Sequence, residues 1–387
     1  IEALRQGDTH YTEIPGRPAL RDAIAARYSH SLARPLSAEH EITVAGAQNA
    51  LLDTSLCLLQ TGDEEIVLEP MYVTYEATLK ASGATLVRVP CSADSRFRLH
   101  PALLAAAITP RTRALFFSTP NNPTGVVLTP QELQAIADLA IEHELWVVVD
   151  EVYESLVFDG EYHSLAALPG MAERCIVIGS LSKSHAMTGW RIGWIIAEPA
   201  MVAHAETLVL SMLYGLPGFV MEAATAAVLA HDQVTQGMRE TYRRRRDLVV
   251  AGLNNCPGIT VLAPQAGMFV LVDVRATGLG SLDFAWRLFR EAGVSVLDAA
   301  AFGEPAQGFV RLSFTLGETR LAEACTRIAG FVAKLAGEPR VEPPARVISV
   351  QPAQAKKMIE VLDLHKRFGN IEVLKGISLT AHEGEVI

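Results

Sequence analysis

The stretch Gly179-Ser-Leu-Ser-Lys-Ser-His-Ala-Met-Thr-Gly-Trp-Arg-Ile-Gly-Trp194 places one lysine, Lys183, after two small hydroxyl residues, Ser180 and Ser182, and sets Arg191 beyond a Thr188-Gly189-Trp190 turn. A lysine becomes a nucleophile near neutral pH only when desolvation or a neighbouring positive charge removes its proton. An arginine beside a serine hydroxyl suits a bound phosphate. Together these residue types suit a lysine that condenses with an aldehyde carried on a phosphorylated cofactor. Alone, the stretch also reads as an exposed Ser/Lys loop before a buried Gly-Trp turn, because short motifs recur by chance.

The flanking segments favour the chemical reading. Arg174-Cys-Ile-Val-Ile-Gly179 is a strand that delivers the lysine loop, and Ile192-Gly-Trp-Ile-Ile-Ala197 is a strand that leaves it. Upstream, Leu145-Trp-Val-Val-Val-Asp-Glu-Val-Tyr153 is a strand apolar on both faces, as in a covered parallel sheet. Asp150 at its end needs a cationic partner, since a buried unpaired acid is costly; a helix N-cap is the other reading. Arg113-Ala-Leu-Phe-Phe-Ser-Thr-Pro-Asn-Asn-Pro-Thr-Gly125 is a strand closing in a tight N-P-T-G turn, and ligands of α/β sheets gather at the carboxyl ends of strands. Glu41 to Leu52 reads as strand, glycine turn and helix, so backbone N–H groups at Gly46, Ala47 and Gln48 form an anion site, a signal shared by many such turns. Glu65 to Glu69 is a strand stopped by Pro70, with Tyr72 just beyond, and Gly83 to Pro90 is the next strand. Leu20 to Tyr28 and Pro130 to His143 have helical spacing.

In these motifs and in their order, from about Tyr11 to Leu335, the sequence resembles the class I/II aminotransferases, fold type I pyridoxal-phosphate enzymes. The resemblance implies an α/β fold: a large three-layer domain with a mostly parallel seven-stranded sheet, plus a smaller α/β C-terminal domain. It implies pyridoxal 5'-phosphate as cofactor, Lys183 as the amine that bonds it and then moves the proton at the substrate Cα, and Asp150 as partner of the protonated pyridine nitrogen. By the same resemblance Tyr72 stacks on the pyridine ring, Asn122 and Tyr153 hydrogen-bond the phenolic oxygen, and Gly46, Ala47, Gln48, Ser180, Ser182 and Arg191 hold the phosphate. The Y-T-x-x-x-G-x-P-x-L-R segment at Tyr11 lies near the dimer interface in the family, where the Tyr11 hydroxyl would reach the phosphate of the neighbouring subunit; a tyrosine packing a turn reads as well. An N-terminal arm of the family, with a glycine near the substrate carboxylate, is expected to be missing, and the chain looks cut at Ile1.

Further on, Glu206 to Ala230 reads as helix interrupted at Gly215-Leu-Pro-Gly218, and a charged helix over about Val234 to Leu253 links two domains. Beyond it a smaller unit runs through strands at Gly267–Asp273, Val294–Leu297 and Phe309–Phe314, with a helix over Ser281–Glu291. Arg311 lies among apolar neighbours and needs an anion; the family's anion is the substrate carboxylate, which Arg311 and Asn122 would bind. The expected boundaries are 1–250 for the large domain, 251–336 for the small one and 337–356 for a proline-rich linker. Residues 357–387 resemble the first two strands of an ABC transporter ATPase of amino-acid uptake, with Phe368 at the place of the adenine-stacking aromatic. No G-x-x-x-x-G-K-[ST] occurs, so no ATP hydrolysis is expected.

The composition narrows the classes. The 387 residues carry a formal net charge of -10, which argues against nucleic acid as a partner. Arg243 to Arg246, the one basic run, reads as a solvated helix face. No apolar run reaches the roughly 18 residues of a membrane span. Five scattered cysteines without CxxC spacing argue against a zinc site and for reduced thiols in a cytoplasmic protein. The resemblance implies an amino acid and a 2-oxo acid as partners and a second copy in a homodimer; the cysteine spacing leads to the expectation of no metal. Ser211 to Phe219 looks like the arginine:pyruvate transaminases, with aspartate- and aromatic-type donors open. A carbon–sulfur β-lyase would keep the same lysine, aspartate and arginine. A non-catalytic sensor would need a DNA-binding winged helix, and a transport ATPase a P-loop.

Overall fold

The computed structural model describes residues 1–337, 357–368 and 371–382. In chain order the first elements are α1 (Glu2–Arg5), α2 (Pro18–Ser31), β1 (Glu41–Val44), α3 (Ala47–Leu58), β2 (Glu64–Glu69), α4 (Tyr75–Lys80), β3 (Thr85–Pro90), α5 (Pro101–Ala107) and β4 (Thr112–Ser118). Next come α6 (Pro130–Glu142), β5 (Trp146–Asp150), β6 (Cys175–Ser180), α7 (Leu181–Ser184), β7 (Gly193–Ile196), α8 (Pro199–Met212), α9 (Gly218–Leu229) and α10 (His231–Leu253). The last are β8 (Thr260–Leu262), β9 (Phe269–Asp273), α11 (Ser281–Ala292), β10 (Leu297–Asp298), β11 (Phe309–Ser313), α12 (Glu318–Gly337), β12 (Lys357–Phe368) and β13 (Ile371–His382).

Strands one to seven form one sheet in the order β1-β7-β6-β5-β4-β2-β3, with β7 antiparallel to both neighbours and the rest parallel. Alternation along β4 and β5 sends Leu115, Phe117, Val147 and Val149 into one core and Phe116 and Val148 into another. Helices therefore cover both faces, which makes the three layers expected of a parallel sheet. α6 shows how local chemistry starts such a layer: Thr129 accepts from the Glu132 N–H while the Glu132 carboxylate accepts from the Thr129 N–H, and Pro130 occupies the first turn.

A second sheet, β10-β11-β9-β8, is antiparallel and packs with α10, α11 and α12 around Phe269, Val272, Phe284, Leu312 and Phe331. The strand expected at Val294–Leu297 is instead the pair Leu297–Asp298, because Asp298 turns the chain by capping the next short helix through the Ala300 N–H. The arginine run also departs from the solvated face expected of it. Arg246 is 8% exposed, paired with Asp159 and Asp247, since four consecutive helical residues cannot all face outward. Both sheets lie in one compact unit, residues 1–340, and residues 341–387 form another. In the latter, β12 and β13 pair as an antiparallel hairpin; the expected linker from residue 338 to 356 lies outside the described residues, as do the side chains of the hairpin. Among the described residues no helix is long and apolar enough to cross a membrane.

Candidate active site

The register of the large sheet assembles the site. Ser118 pairs with Asp150, Asp150 with Ile178, and Ser180 with Gly193, so the carboxyl ends of β4, β5 and β6 finish side by side. Above that edge a cavity of about 320 Å³ is lined by Ala47, Gln48, Tyr72, Asn122, Asp150, Tyr153, Ser180, Ser182, Lys183 and Arg191, ten of the residues singled out in the sequence. Gly46 and Arg311 are not among the lining residues but touch two that are, Arg191 and Asn122, and Tyr11 lies elsewhere.

Asp150 is 4% exposed and accepts the Tyr75 phenol at 2.5 Å and the Val152 N–H at 3.1 Å. Burial pushes its carboxyl above the usual range, and the two donors and nearby Lys183 oppose the push. Lys183 is held below the usual range of an amine, chiefly by burial and also by Arg311 and Arg191, against the pull of Asp150. The cavity thus combines an amine of lowered proton affinity with an acid that lacks a full cationic partner. Burial likewise raises the phenols of Tyr75 and Tyr153, so both remain donors across the working pH range.

The lysine sits on a single helical turn. Ser180 caps α7 by accepting the Ser182 N–H at 3.0 Å, and its own hydroxyl donates to the Ile192 carbonyl at 2.8 Å. Arg191, in the left-handed region at φ 54, donates to the carbonyls of Thr188 at 2.9 Å and Ala45 at 3.0 Å. Five guanidinium N–H groups minus these two leave donors for an anion. The guanidinium closes over Gly46, where φ is 91 and a Cβ would lie 2.4 Å from Arg191 Nη2. Gly193 is needed for the same approach, a Cβ there falling 2.6 Å from the Gly46 carbonyl carbon. α3 starts at this point, and the first-turn N–H groups of Ala47 and Gln48 have no intrahelical acceptor. The Gln48 side chain is engaged elsewhere, accepting from Thr74 at 2.8 Å and donating to Thr78, which leaves its backbone as the anion donor.

The donor set therefore fits pyridoxal phosphate at both ends: a glycine-tight cradle of Arg191, α3 N–H groups and hydroxyls for the phosphate, and a buried acid short of a cation for the ring nitrogen. Arg311 adjoins the cavity through Asn122. Its guanidinium donates to Asn122 Oδ1 at 2.8 Å and is sandwiched between Phe269 and Phe302, 5.1 and 4.9 Å from the ring centroids. Its Nε is buried without a partner, which fits an anion-binding role.

Tyr11 is 84% exposed and packs edge-on against Tyr214 at 4.8 Å, beside a separate surface depression that includes Leu216 and Phe219. One chain does not bring it to the cavity. Sequence reading missed Tyr75, whose phenol reaches Asp150, and the phenylalanines that clamp Arg311. The only sequence signal for Tyr75 was that a buried carboxylate needs a donor, which does not say which residue supplies it. The alternative of a buried Gly-Trp turn does not hold, because Trp190 is 45% exposed.

Residues 2–328 match the family model for aminotransferase class I and II. The chain is 49% identical to the arginine–pyruvate transaminase of Pseudomonas aeruginosa, over 87% of this chain and 86% of that one. It is 37% identical to an aspartate aminotransferase of Musicola paradisiaca, over 85% and 83%. Among solved structures, an aromatic aminotransferase of Pyrococcus horikoshii superposes with TM-score 0.83 at 34% identity, covering 86% of this chain and 90% of that one.

Proposed function

Because the chain belongs to the class I and II aminotransferases, and is thus a pyridoxal-phosphate enzyme, we propose that it moves the amino group of an L-amino acid to a 2-oxo acid, with arginine and pyruvate as the preferred pair. When bound, pyridoxal phosphate supplies an electron sink for the pair left on the substrate Cα. Lys183 carries the proton on and off that carbon, an act that requires its amine to be uncharged near neutral pH. Asp150 would hold the proton on the ring nitrogen, and Tyr75 and the Val152 N–H, by donating to Asp150, favour its charged form. Arg311 grips the substrate carboxylate with Asn122 as its orienting partner. Tyr153 and Asn122 would orient the ring oxygen, Tyr72 would cover the ring, and Arg191 with the start of α3 and Ser180 and Ser182 would bind the phosphate.

The observation that carries this reading is that Lys183 and Asp150 line one cavity while burial and two arginines lower the lysine's proton affinity. The likeness to the Pseudomonas enzyme supports the arginine–pyruvate pair. We further infer that the antiparallel sheet forms the small domain of residues 251–336 bearing Arg311, that the enzyme is a cytoplasmic homodimer with Tyr11 facing the partner's phosphate, and that residues 357–387, ABC ATPase-like in sequence, supply no phosphate cradle. A panel of amino donors assayed with pyruvate on purified protein tests the substrate pair. A kcat/KM for aspartate or phenylalanine above that for arginine would overturn it. Pyruvate and ammonia released from cystathionine without any 2-oxo acid would favour the β-lyase reading instead.

A further inference from the structure

Behind the lysine turn two imidazoles face each other. His185 follows α7 directly, and its ring lies 5.2 Å from that of His231, the first residue of α10, with an interplanar angle of 42°. His185 Nε2 sits 3.1 Å from the Ala227 carbonyl on α9, and Nδ1 sits 2.9 Å from the hydroxyl of Ser184, the neighbour of Lys183. A carbonyl only accepts, so Nε2 bears the proton and the neutral ring accepts from Ser184 at Nδ1. The other acceptor within reach of Ser184, the Ser180 carbonyl, is 3.5 Å away, at the limit of a hydrogen bond. His231 Nε2 lies 3.1 Å from the Ser155 hydroxyl, which donates to Glu154 at 2.5 Å, and Glu154 is paired with Arg27 of α2. Ser155 can then only accept from His231.

We propose that His185 and His231 act as a neutral imidazole pair that positions the Lys183 turn, holding α7 against α9 and α10 so that the amine stays opposite Asp150. Neither ring lines the cavity, so both are positioning residues. The charged groups facing the pair are Arg27 from α2, Glu154 from the turn after β5 and Asp232 from α10. Burial lowers both imidazoles, His231 to about 4, and Arg27 adds to the effect, so the two rings are neutral together around pH 7. A proton on His185 Nδ1 would displace the Ser184 hydroxyl toward the Ser180 carbonyl and loosen the turn. α10 carries the coupling further: Tyr242, Val249 and Leu253 along it sit in the core around β9 and β11, the strand of Arg311.

The inference rests on Lys183 being the reacting amine, and the two fail separately. Lys183→Ala is expected to lose the visible absorbance of bound pyridoxal phosphate together with turnover; retention of both would overturn the reading of Lys183. In the full chain loaded with cofactor, His185→Phe removes both hydrogen bonds of the ring, whereas His185→Gln keeps a donor for the Ala227 carbonyl. Because a misplacement of about an ångström remote from the chemistry costs up to about a hundredfold, kcat of His185→Phe is expected to fall about tenfold or more with KM for the donor nearly unchanged. The pH midpoint of the visible band should shift, and His185→Gln should recover most of kcat. His231→Phe, which cuts only the Ser155 link, should show the same split to a smaller extent. Should His185→Phe not fold, His185→Gln and His231→Phe decide. Wild-type kcat and midpoint in His231→Phe, a rise in KM at constant kcat, or a glutamine variant no better than the phenylalanine one would each overturn the proposal.

Discussion

Tyr75→Phe isolates the support of the buried acid. The phenol is fully enclosed, donates to Asp150 at 2.5 Å and stands edge-on to Phe116 at 4.6 Å and Tyr72 at 5.7 Å, so phenylalanine preserves the packing and deletes one donor. A hydrogen bond to a charged group is worth about 1.5–3 kcal/mol, and Asp150 keeps only the Val152 N–H as donor afterwards. If that loss falls on the transition state, kcat drops roughly 10- to 150-fold. The sign of the pH effect follows from the acid's setting: burial already raises Asp150 and Tyr75 opposes the rise, so removing the phenol raises it further. The acid limb of the kcat profile should therefore move to higher pH, with the deficit largest at low pH and shrinking as pH rises. Initial rates of amino transfer to pyruvate across pH 5–9 measure this, with the visible spectrum reporting cofactor content. A variant with full cofactor and an unmoved acid limb would refute the role given to Tyr75.

Arg311→Gln should raise KM for amino donors and lower kcat/KM by roughly 10- to 100-fold, since a charge-assisted bidentate contact is lost, and should raise the pH midpoint of the visible band; an unchanged KM would remove Arg311 from carboxylate binding. Gly46→Ala puts a Cβ 2.4 Å from the Arg191 guanidinium at φ 91. Strain of about 1–3 kcal/mol predicts a cofactor Kd raised roughly 5- to 150-fold in absorbance titration, and an unaltered Kd would show that the turn is not the phosphate cradle. Glu65 is 1% exposed, its Oε2 has no partner, and burial raises its pKa from 4.5 to about 8. The folded state keeps a proton that the unfolded chain releases, so wild-type stability is lost as pH rises from about 4.5 to 8, by at most about 5 kcal/mol at about 1.4 kcal/mol per unit. Glu65→Gln does not titrate, so its Tm should exceed that of wild type by more at pH 8 than at pH 5; a constant difference would contradict this.

The parts of the site legible in the sequence are those that end a strand. Asp150, Asn122 and the Lys183 turn each close an apolar β run, and a parallel sheet sets such ends together whatever the helices between them do. The unread parts are contacts between distant segments. Arg311 meets Asn122 across 189 residues, and Ser155 meets His231 across 76. No local periodicity encodes that Phe269 and Phe302 flank one guanidinium, or that Tyr75 rather than another donor reaches Asp150. Arg246 was misread for a related reason: the helix turns one of the four arginines inward, but its partner there, Asp159, lies 87 residues away and no local pattern announces it.

The two arginines explain why an amine beside an acid is nevertheless poised to lose its proton. Asp150 favours the ammonium form of Lys183, while burial, Arg311 and Arg191 oppose it, and the opposing causes prevail. On the function proposed above both arginines also bind anions, so what they bind would change what Lys183 feels. A phosphate bound at Arg191 would cancel one push toward the neutral amine and leave Arg311 as the guanidinium that still lowers the proton affinity of Lys183. A substrate carboxylate on Arg311 would then cancel the second push and raise the proton affinity of Lys183 at the stage when, on the proposed mechanism, it accepts the Cα proton. Removing Arg311 should mimic that state in the free enzyme, which is why the midpoint of Arg311→Gln is expected to lie above that of wild type. A midpoint at or below wild type would mean that burial alone sets the lysine.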